Sequence, residues 1–310
     1  MQELTESDIR RQLDPVRVIA ALETAFRERF DSVALPPRVF IDTSDGFFLT
    51  MACYDRKGSA LGMKFVTIQS ALARVEERIQ ATYILFDPAT ARPKLIAPAS
   101  YLTDVRTAAA SALATKFLAR EDARVLGIFG TGRLARAHLV VMPLVRRIER
   151  VLVCGRKPER SQAFAHAMAS ETDLPVEAVD AQTCASKSDV ICTCTSAVTP
   201  LFDGNLVRAG SHLNVVGAFQ QQNREVDSDT VQRAHVVVDT YDGVLGEAGD
   251  ILIPLSEGRI SRAHILADLH ELVSGTKRVQ RDAAGITLFK SVGCALEDLA
   301  TAELLLGTPR

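Results

Sequence analysis

The alternation of short apolar runs with helical segments after Ala123 constrains the fold of this chain most strongly. The apolar runs are RVLGIFG, RVLVCG, VEAVD, DVICTCT, HLNVVG and HVVVDT, and the segments between them include RLARAHLVVMPLVRR and ERSQAFAHAMAS. Because this alternation is typical of βαβ units, it predicts a parallel sheet covered by helices. We therefore expect an α/β fold whose main part is a Rossmann-type, doubly wound parallel sheet.

The N-terminal hundred residues show a different pattern. Residues 5–30 place apolar side chains at helical spacing behind candidate cap residues, which predicts one or two surface helices. From residue 33 to residue 100, the runs RVFIDT, FFLTMACY, ALGMKFVTI and ATYILFD are separated by turn signals. This second pattern predicts an antiparallel sheet.

Two further segments connect these regions. The Ala-rich segment DVRTAAASALATKFLAR, residues 104–120, predicts a connecting helix whose small side chains permit close packing. The C-terminal stretch ITLFKSVGCALEDLATAELLLG predicts a short strand, a glycine-containing turn and an amphipathic helix, and we expect that helix to return to the first domain. Glu297 and Asp298 in this stretch are expected to be solvated or helix-capping charges with no catalytic role.

The overall charge narrows the class of ligand. The 310 residues are enough for two domains of ordinary size with sizeable cores. A formal net charge of -2 gives no general electrostatic reason to bind nucleic acid or an anionic membrane, so small charged metabolites are the expected partners. The N-terminus is polar and charged, and we expect neither a signal segment nor a membrane span there.

The six cysteines indicate a reducing compartment. They are too sparse for a disulfide scaffold and lie mostly in apolar surroundings, so we expect free thiols in a cytoplasmic protein. Cys192 and Cys194 are two residues apart and would share one face of a strand. No second Cys or His pair at zinc-like spacing accompanies them in the sequence, so no metal is expected.

A glycine-rich segment follows the strand RVLGIFG directly and opens a helix. It has the GxGxxA form of the dinucleotide-binding fingerprint, in which the first glycine permits a tight turn and the second lets the backbone approach the pyrophosphate. The helix N-terminus adds free amides and a positive dipole end. A purely structural glycine turn is the alternative, but the strand-to-helix position favours a cofactor site. Its residues are Gly130, Thr131, Gly132, Arg133 and Leu134.

The second strand of this region ends at Cys154-Gly155, where an NAD enzyme often places an acid on the ribose diol. The chain has Arg156 and Lys157 instead. Both can form charge-assisted hydrogen bonds to a 2'-phosphate, and arginine is the better planar anchor. Two solvated surface cations are the alternative interpretation. We favour NADP(H) as the cofactor and keep NAD(H) as possible.

By its motifs, the chain resembles the ornithine cyclodeaminase and mu-crystallin family over essentially its whole length. Apart from the GTGRLA loop, the resemblance rests on five stretches: LPPR at 35–38, LGMK at 61–64, RTAAASALATKFLAR at 106–120, EAGD at 247–250 and FKSVGCALEDLA at 289–300. Members of this family reduce cyclic or linear imines, oxidise amino acids or cyclise ornithine to proline. The resemblance therefore implies an oxidoreductase of amino-acid metabolism.

The resemblance also implies a domain organisation and a substrate site. Residues 1–118 with 287–310 would form an α+β substrate-binding and dimerisation domain, residues 119–286 would form the NAD(P)-binding Rossmann domain, and the protein would be a homodimer. Arg38, Lys64 and Arg106 match the three family cations that hold the substrate carboxylate. Three cations that converge on one site can give a carboxylate both charge and directional donors.

One departure from the family pattern narrows the reaction. In the ornithine-cyclising members, the strand that here reads HLNVVG is followed by Gly-Gly-Asp or a similar sequence, whereas this chain has Gly217-Ala218-Phe219. Phenylalanine cannot act as a base or pair with an ammonium, which argues against ornithine cyclisation. With Gly217-Ala218-Phe219 followed by Arg224-Glu225-Val226-Asp227, the chain is more similar to the subgroup that reduces pyrroline-2-carboxylate and piperideine-2-carboxylate, the ketimine reductases.

The predicted reaction is hydride transfer from NADPH to the C=N carbon of a cyclic 2-imino acid, which gives L-proline or L-pipecolate. Lys64, Arg38 and Arg106 would position the carboxylate and form the catalytic group, and Phe219 would line the apolar side of the ring. The imine nitrogen must be protonated. Lys64 is a candidate donor if the two arginines lower its pKa, although a substrate protonated in solution needs no donor.

Further cofactor contacts are expected at the same edge of the sheet. The strands that end at Cys194, Thr195 and Ser196 and at Val216 and Gly217 reach the edge that carries the phosphate loop. The resemblance places nicotinamide-side contacts at Ser291, Val292 and Gly293, and Thr107 beside Arg106 is another candidate.

Three alternatives remain open at this point. One is another enzyme of the same family, an ornithine cyclodeaminase or an amino-acid dehydrogenase. A second is a non-catalytic, crystallin-like protein that binds NADPH, against which the three intact cations argue. The third, a Rossmann dehydrogenase of another family, does not explain the N-terminal motifs.

Overall fold

A computed structural model describes residues 1–58, 60–69, 79–279 and 283–306. The chain divides into two compact units, one formed by Met1–Arg106 with Cys294–Arg310 and the other by Thr107–Gly293. The first unit combines helices with a largely antiparallel sheet, and the second is a parallel α/β unit. The predicted α/β fold class is therefore confirmed.

In the described part of the first unit, seven strands form one sheet, in the order β1-β7-β6-β5-β4-β2 with β3 paired to β4. All pairings are antiparallel except that of β1 with β7. The strand at Arg92–Pro98 was missed by the sequence analysis. The strands are β1 Gln2–Glu3, β2 Val33–Ala34, β3 Val39–Thr43, β4 Gly46–Asp55, β5 Ala60–Gln69, β6 Ile79–Asp87 and β7 Arg92–Pro98.

Both predicted helical regions of this unit are confirmed. The N-terminal region forms α1 (Glu6–Gln12) and α2 (Pro15–Thr24), followed by a π-helical turn at Ala25–Arg29 and a 3-10 turn at Phe30–Ser32. Thr5 and Asp14 cap the two helices with side-chain oxygens that accept backbone amides. At the other end of the chain, a helix spans Ala295–Glu303, and a 3-10 turn follows at Leu304–Leu306.

Burial alternates along β4 and β5, as expected for a sheet with one covered face. Leu49, Met51 and Val66 form an apolar cluster on that face, and Ala295 packs against it. The helix Ala295–Glu303 covers this side of the sheet, since it contacts β4, β5 and β6. The expected return of the last helix to the first domain is therefore confirmed.

In the described part of the second unit, eight parallel strands follow the order β10-β9-β8-β11-β12-β15-β13-β14. The predicted parallel sheet is confirmed, and the strand at Ile265–Asp268 was missed. The strands are β8 Val125–Phe129, β9 Arg150–Cys154, β10 Val176–Ala178, β11 Val190–Thr193, β12 His212–Val215, β13 Ala234–Val238, β14 Ile265–Asp268 and β15 Ile286–Lys290.

Helices connect these strands, and short 3-10 turns lie at Met142–Leu144, Gly204–Leu206 and Arg262–His264. Within the described residues, no helix is both long and apolar enough to cross a lipid bilayer. The helices are α3 Ser100–Leu118, α4 Arg133–Val141, α5 Pro158–Thr172, α6 Ala181–Lys187, α7 Ser228–Arg233, α8 Tyr241–Glu247, α9 Gly249–Ser256, α10 Leu269–Ser274 and, at the C-terminal end described above, α11 Ala295–Glu303.

The boundaries between the units differ from those proposed from the sequence, 118/119 and 286/287. They fall at 106/107 and 293/294. Most of α3 belongs to the second unit, where Thr115 accepts a hydrogen bond from Asn214 Nδ2 at 2.9 Å. Strand β15 also belongs there, because it pairs with β12 and β13 in the parallel sheet.

The strand order of the second unit reverses between β8 and β11, which are neighbours in the sheet but not in the chain. In doubly wound sheets, ligands bind outside the carboxyl ends of the strands at such a switch point. The loops that leave β8 and β11 here begin at Gly130 and Cys194, so the predicted cofactor segments lie on either side of this point.

Candidate active site

Lys64 is an almost completely buried cation in the first unit. Alternate residues of β5 face the covered side of the sheet, and Lys64 occupies one of these positions with 1% of its surface exposed. Its Nζ lies 2.8 Å from Oδ1 of Asp298 on α11. The register of the strand therefore directs this charge into the protein, where it requires a partner of opposite charge.

Arg106, the second predicted cation, reaches the same helix from α3. Its Nε donates to Asp298 Oδ1 at 2.9 Å, and its Nη1 donates to Glu297 Oε2 at 2.8 Å. Both carboxylates lie in the first turn of α11, where the positive end of the helix dipole favours negative charge. Lys64 and Arg106 are thus brought together by one shared carboxylate oxygen.

Lys64, Arg106, Glu297 and Asp298 form one buried cluster of charges, and these charges shift the pKa values of its members. Burial lowers the pKa of Lys64 to about 8, the charges of Arg106 and Arg38 act in the same direction, and Asp298 opposes them. Burial raises the pKa of Asp298, but the charges of Lys64 and Arg106 outweigh it, so the net pKa is lowered. Burial likewise lowers the pKa of Arg106, and its two carboxylate partners raise it overall.

Arg38 completes the set of three predicted cations. It is half-buried just before β3, and its charge lowers the pKa values of both Lys64 and Asp298. Lys64 and Arg106 are paired with the carboxylates of α11, and the positive charge of Arg38 acts on Lys64 and Asp298 as well. Cations grouped in this way can supply both charge and directional donors to a substrate carboxylate.

Glu297 and Asp298 correct the sequence analysis. Both were expected to be solvated or capping charges, but neither side chain exposes any measurable surface. Each is held inside the unit by a cation, with Arg106 bound to both. The sequence analysis missed the role of these two acids because it assigned the three cations to the substrate carboxylate. A buried cation also needs a negative partner within the protein when no substrate is bound.

Gly62, two residues before Lys64, has a steric role. Tyr83 on β6 stands directly across from Lys64 in the antiparallel register and is 1% exposed. A Cβ atom at Gly62 would lie 2.0 Å from Tyr83 Oη, so any larger residue would displace the tyrosine. The glycine of the LGMK stretch therefore makes room for the side chain that lies next to Lys64.

In the second unit, the two glycines of the phosphate loop differ in what the chain requires of them. Gly130 has φ of 120°, and a Cβ there would lie 2.6 Å from the carbonyl oxygen of Cys194. Gly132 caps α4 in an extended conformation, and a Cβ there would meet no atom of the chain within 4 Å. Packing thus demands glycine at the first position, whereas close approach of a ligand would explain the second.

The N-terminus of α4 can accept an anion. Gly132 provides no side-chain hydrogen bond to the amides of the first turn, and open space lies in front of it. Free amides and a positive dipole end are the usual elements of a pyrophosphate site. Thr131, Arg133 and Leu134 belong to the same turn, so the geometry fits the pyrophosphate of a dinucleotide.

The loop after β9 packs next to the phosphate loop. A Cβ at Gly155 would lie 2.9 Å from both Thr131 Cγ2 and Ser161 Oγ, and the Gly155 amide donates to Ser161 Oγ at 2.9 Å. The following residues, Arg156 and Lys157, are exposed. Their proximity along the chain to this contact is compatible with binding a 2'-phosphate, but their assignment stays a prediction.

A buried glutamate to which the sequence analysis assigned no role organises the loops after β11 and β12. Glu225 exposes no surface, and its carboxylate accepts hydrogen bonds from Thr193 Oγ1, from the amide and Oγ1 of Thr195, and from the amide of Gly217, at 2.7 to 2.8 Å. Burial and the charge of Asp250 raise the pKa of Glu225, while Lys290 opposes them. This side chain fixes two of the predicted cofactor segments.

Asp250 binds the backbone of that glutamate, and Lys290 pairs with Asp250. Lys290 Nζ lies 2.8 Å from Asp250 Oδ2 and donates to the carbonyl oxygen of Ala218 at 2.6 Å. Asp250 Oδ1 accepts the amides of Glu225 and Val226 at 2.7 and 3.1 Å. The EAGD and FKSVG stretches of the sequence thus supply the two charges of one buried pair.

Asp239, at the end of β13, holds the last predicted cofactor segment. Its Oδ2 accepts from Ser291 Oγ at 2.9 Å and from the amides of Val292 and Gly293 at 2.8 and 2.6 Å. Gly293 has φ of 87°, which favours glycine. The Ser291 hydroxyl is therefore engaged within the protein, and the turn owes its shape to a carboxylate that the sequence analysis did not assign.

The structure thus separates the predicted site residues into two groups. Arg38, Lys64 and Arg106 lie in the first unit, and all of the predicted cofactor residues lie in the second. Phe219 also lies in the second unit, half-buried against its apolar core, and its assignment to the substrate stays a prediction. Of the remaining cofactor candidates, Thr107 and Val216 are buried, Cys194 is half-buried and Ser196 is exposed.

Metal-ligating side chains do not cluster within the part of the chain that the structure describes. Among the residues that are described, no group of three or more His, Cys, Asp or Glu side chains is arranged to hold a metal ion. All six cysteines are described and carry free thiols.

Sequence comparison relates the chain to known enzymes. The sequence model of the ornithine cyclodeaminase/mu-crystallin family matches residues 2–307. The Delta(1)-pyrroline-2-carboxylate reductase of Bacillus cereus is 36% identical over 249 residues, which cover 79% of this chain and 76% of the relative. The ketimine reductase mu-crystallin of Rattus norvegicus is 34% identical over 84% of this chain and 80% of its own.

A solved structure shows the same fold. The Delta(1)-pyrroline-2-carboxylate reductase of Thermococcus litoralis, determined in complex with NADH and L-proline, superposes with a TM-score of 0.95. It shares 37% sequence identity, and the match covers 99% of this chain and 96% of the other. That similarity extends over both units.

Proposed function

We propose that this chain, which belongs to the ornithine cyclodeaminase/mu-crystallin family, reduces the C=N bond of cyclic 2-imino acids with NAD(P)H. It is an oxidoreductase, and its substrates are pyrroline-2-carboxylate or piperideine-2-carboxylate, which become L-proline or L-pipecolate. The observation that carries the proposal is that Lys64 and Arg106 are both buried and both donate to one oxygen of Asp298, and that the charge of Arg38 acts on Lys64 as well. The reductase relatives and the proline-bound neighbour support this choice of substrate.

The cationic cluster binds the carboxylate of the imino acid. Arg38 and Arg106 supply charge and directional N–H donors, and Lys64 supplies a compact third charge. Because the carboxylate is attached directly to the imine carbon, holding it also fixes the position and orientation of the reacting bond. The low exposure of Lys64 and Arg106 removes competing water and strengthens these interactions.

A nicotinamide dinucleotide fits the second unit. When bound, NAD(P)H supplies the hydride that the imine carbon accepts. The open backbone at Gly132 and the uncapped N-terminus of α4 hold the pyrophosphate, and Glu225 and Asp239 keep the loops at Thr195 and Ser291 in shape. The chain contributes binding and orientation.

Lys64 supplies the proton that the imine nitrogen requires. Its lowered pKa, about 8, makes the ammonium a better acid than an ordinary lysine while leaving it charged at neutral pH. A Lys64→Met variant tests this role: we expect kcat to fall at least 100-fold at pH 7. An unchanged kcat with only a higher KM would show that Lys64 binds substrate but donates no proton.

The cofactor preference in this proposal is NADP(H). Arg156 and Lys157 are exposed directly after Gly155, which packs against Thr131 of the phosphate loop. In doubly wound folds, residues at this position after the second strand contact the ribose of a bound dinucleotide. Two cations there stabilise a 2'-phosphate, whereas NADH has none to offer.

The proposal includes a homodimer in the cytoplasm. The location follows from the cysteine content of the sequence.

Strand β3 supports the dimer, because all five of its residues are exposed and three of them are large and apolar: Val39, Phe40 and Ile41. Sedimentation should give about twice the 33.6 kDa of one chain. Phe40→Asp should shift this to the monomer and Val16→Asp, an exposed apolar position on α2, should not; a monomeric wild type would refute the dimer.

A single assay separates the proposed reaction from its alternatives. Oxidation of NADPH and NADH is followed with pyrroline-2-carboxylate and with piperideine-2-carboxylate, and release of ammonia is followed with ornithine and NAD⁺. We expect turnover with the imino acids and none with ornithine. Ornithine turnover alone would identify a cyclodeaminase, and no turnover with either imino acid would favour a protein that binds NADPH without reducing a substrate.

An arginine variant tests, within the same assay, whether the cationic cluster binds the substrate carboxylate. Arg38→Ala should raise KM for the imino acid at least 10-fold and leave KM for the dinucleotide unchanged, because Arg38 lies in the unit that binds the carboxylate. Arg17→Ala removes an exposed arginine from α2 and is the matched control. Equal changes in both KM values would contradict the assignment.

A further inference from the structure

Asp298 is a carboxylate that touches both buried cations. Its Oδ1 accepts from Lys64 Nζ at 2.8 Å and from Arg106 Nε at 2.9 Å, and thereby connects β5, α3 and α11. Glu297, the neighbouring acid, pairs with Nη1 of Arg106 through its Oε2. The two acids of α11 therefore have different relations to Lys64, although both are completely buried.

We propose that Asp298 is the positioning residue of the substrate site. It holds the Lys64 ammonium and the Arg106 guanidinium at a fixed distance and orientation, and its negative charge keeps Lys64 protonated. The proposal rests on the proposed imino-acid reduction and assigns a role to a residue that touches neither substrate nor cofactor. Asp298 acts only through the two cations.

The geometry shows why one shared oxygen matters. Two cations without a common partner would separate, since like charges in a buried site repel strongly. A carboxylate oxygen that accepts from both brings the two nitrogen atoms within reach of one substrate carboxylate. The first turn of α11 fixes that oxygen, because the helix packs on the strand that carries Lys64.

The charges around Lys64 determine the sign of the effect. Arg106 on α3 and Arg38 before β3 both lower its pKa, in addition to burial, and Asp298 on α11 raises it. Tyr83 on β6 and Cys53 on β4 are further ionisable residues of this unit, and the charges of Arg29 and Glu303 act on both. Burial raises the pKa of Cys53 to about 12 and that of Tyr83 well above its usual value, so both stay neutral between pH 6 and 10.

Removing the charge of Asp298 should therefore lower the pKa of Lys64. Because the pKa of Lys64 is about 8, we expect the wild type to lose the ammonium as the pH rises through this value and its activity to fall on that side of the pH profile. In Asp298→Asn the same loss occurs at lower pH, so a smaller fraction of the enzyme carries the ammonium at neutral pH. The isosteric amide keeps an oxygen for the two donors, so the variant changes mainly the charge.

The test is the pH dependence of kcat and of kcat/KM with pyrroline-2-carboxylate between pH 6 and 10. We expect the alkaline limb of Asp298→Asn to move down by at least one pH unit and its KM for the imino acid to rise at least 10-fold. Asp298→Glu retains the charge and should restore the position of the limb even if KM stays high. An alkaline limb at the wild-type position in Asp298→Asn would overturn the proposal.

Glu297→Gln is the matched comparison, because it removes an equally buried charge from the neighbouring residue. It should raise KM through Arg106 but leave the alkaline limb within about 0.3 pH units of the wild type, since Lys64 keeps its contact with Asp298. Equal shifts in Glu297→Gln and Asp298→Asn would show that any buried charge in the cluster has the same effect, which contradicts a specific role for Asp298.

A second readout does not depend on turnover. The Lys64 Nζ resonance of ¹⁵N-lysine-labelled protein, assigned with Lys64→Met, can be titrated without substrate. Its midpoint should be lower in Asp298→Asn than in the wild type by the same interval as the kinetic limb. If the wild type reduced no imino acid but the midpoint still moved, the proposed function would fail while the electrostatic role of Asp298 stood; an unmoved midpoint would refute that role directly.

Discussion

The proposed function gives each of the two units an anion to bind, and their candidate sites differ in kind. In the first unit, the candidate site consists of side-chain cations, and the buried ones are paired with Glu297 and Asp298. In the second unit, it consists of open space and backbone at Gly132, and buried carboxylates accept hydrogen bonds from the neighbouring loops. Under the proposal, side-chain charge would therefore select the imino acid, whereas backbone shape would admit the dinucleotide.

The largest expected effect is on the first of these sites. Arg106→Ala should lower kcat/KM for the imino acid about 10³-fold, because it removes charge-assisted hydrogen bonds together worth about 4 kcal/mol. KM for NADPH should change less than threefold. Steady-state kinetics with each substrate varied in turn measure both values. A similar loss for both substrates would mean that the arginine supports the whole protein rather than carboxylate binding.

A buried charge in the second unit should affect stability and the cofactor instead. Lys290→Met leaves Asp250 without its cation, and breaking such a buried pair costs about 3–5 kcal/mol. We expect a lower Tm and a higher KM for NADPH, because the loop at Ala218 and Gly217 loses its support. Lys187→Met, an exposed lysine at the end of α6, should change neither. A rise in KM for the imino acid alone would contradict the division of roles.

The two glycines of the phosphate loop provide a sharper comparison. Gly130→Ala places a Cβ 2.6 Å from the Cys194 oxygen at a φ of 120°, and should destabilise the protein by about 1–3 kcal/mol. Gly132→Ala meets no atom of the chain within 4 Å and should leave Tm within about 1 °C of the wild type. It should nevertheless raise KM for NADPH about 10-fold, since the methyl group projects where the pyrophosphate approaches. Thermal melts and kinetics on the two variants check this, and normal cofactor affinity in Gly132→Ala would exclude the pyrophosphate from this loop.

The smallest expected effect concerns the choice between the two cofactors. Arg156→Asp should reduce the preference for NADPH over NADH about 10- to 100-fold by replacing attraction to the 2'-phosphate with repulsion. Arg147→Asp, an exposed arginine in the segment before β9, is the control for surface charge. The ratio of kcat/KM values for the two cofactors is the measurement. An unchanged ratio in Arg156→Asp would leave Arg156 as a solvated charge.

The sequence predicted features that depend on local pattern. The βαβ alternation, the GxGxxA loop and the C-terminal helix each follow from spacing or composition within a short segment, and the structure contains all three. The strands at Arg92–Pro98 and Ile265–Asp268 were missed because short strands with polar or mixed patterns resemble loops in a single sequence.

The partners of the buried charges could not be predicted in the same way. Asp298 lies 234 residues from Lys64 and Glu225 lies 30 residues from Thr195, so no local spacing relates them. The burial of Lys64 is decided by the register of β5 against β4 and β6, which is a property of the folded sheet. Each predicted buried cation needs an acidic partner, and the adjacent acids Glu297 and Asp298 in the first turn of a predicted helix are candidates for that role.

Under the proposed function, the first unit recognises the carboxylate of the substrate rather than its ring. The most direct test compares NADPH oxidation with pyrroline-2-carboxylate and with 1-pyrroline, the same cyclic imine without the carboxylate. We expect kcat/KM to be at least 10³-fold higher for the carboxylated ring, and this advantage to disappear largely in Arg106→Ala. Equal rates for the two rings in the wild type would contradict it.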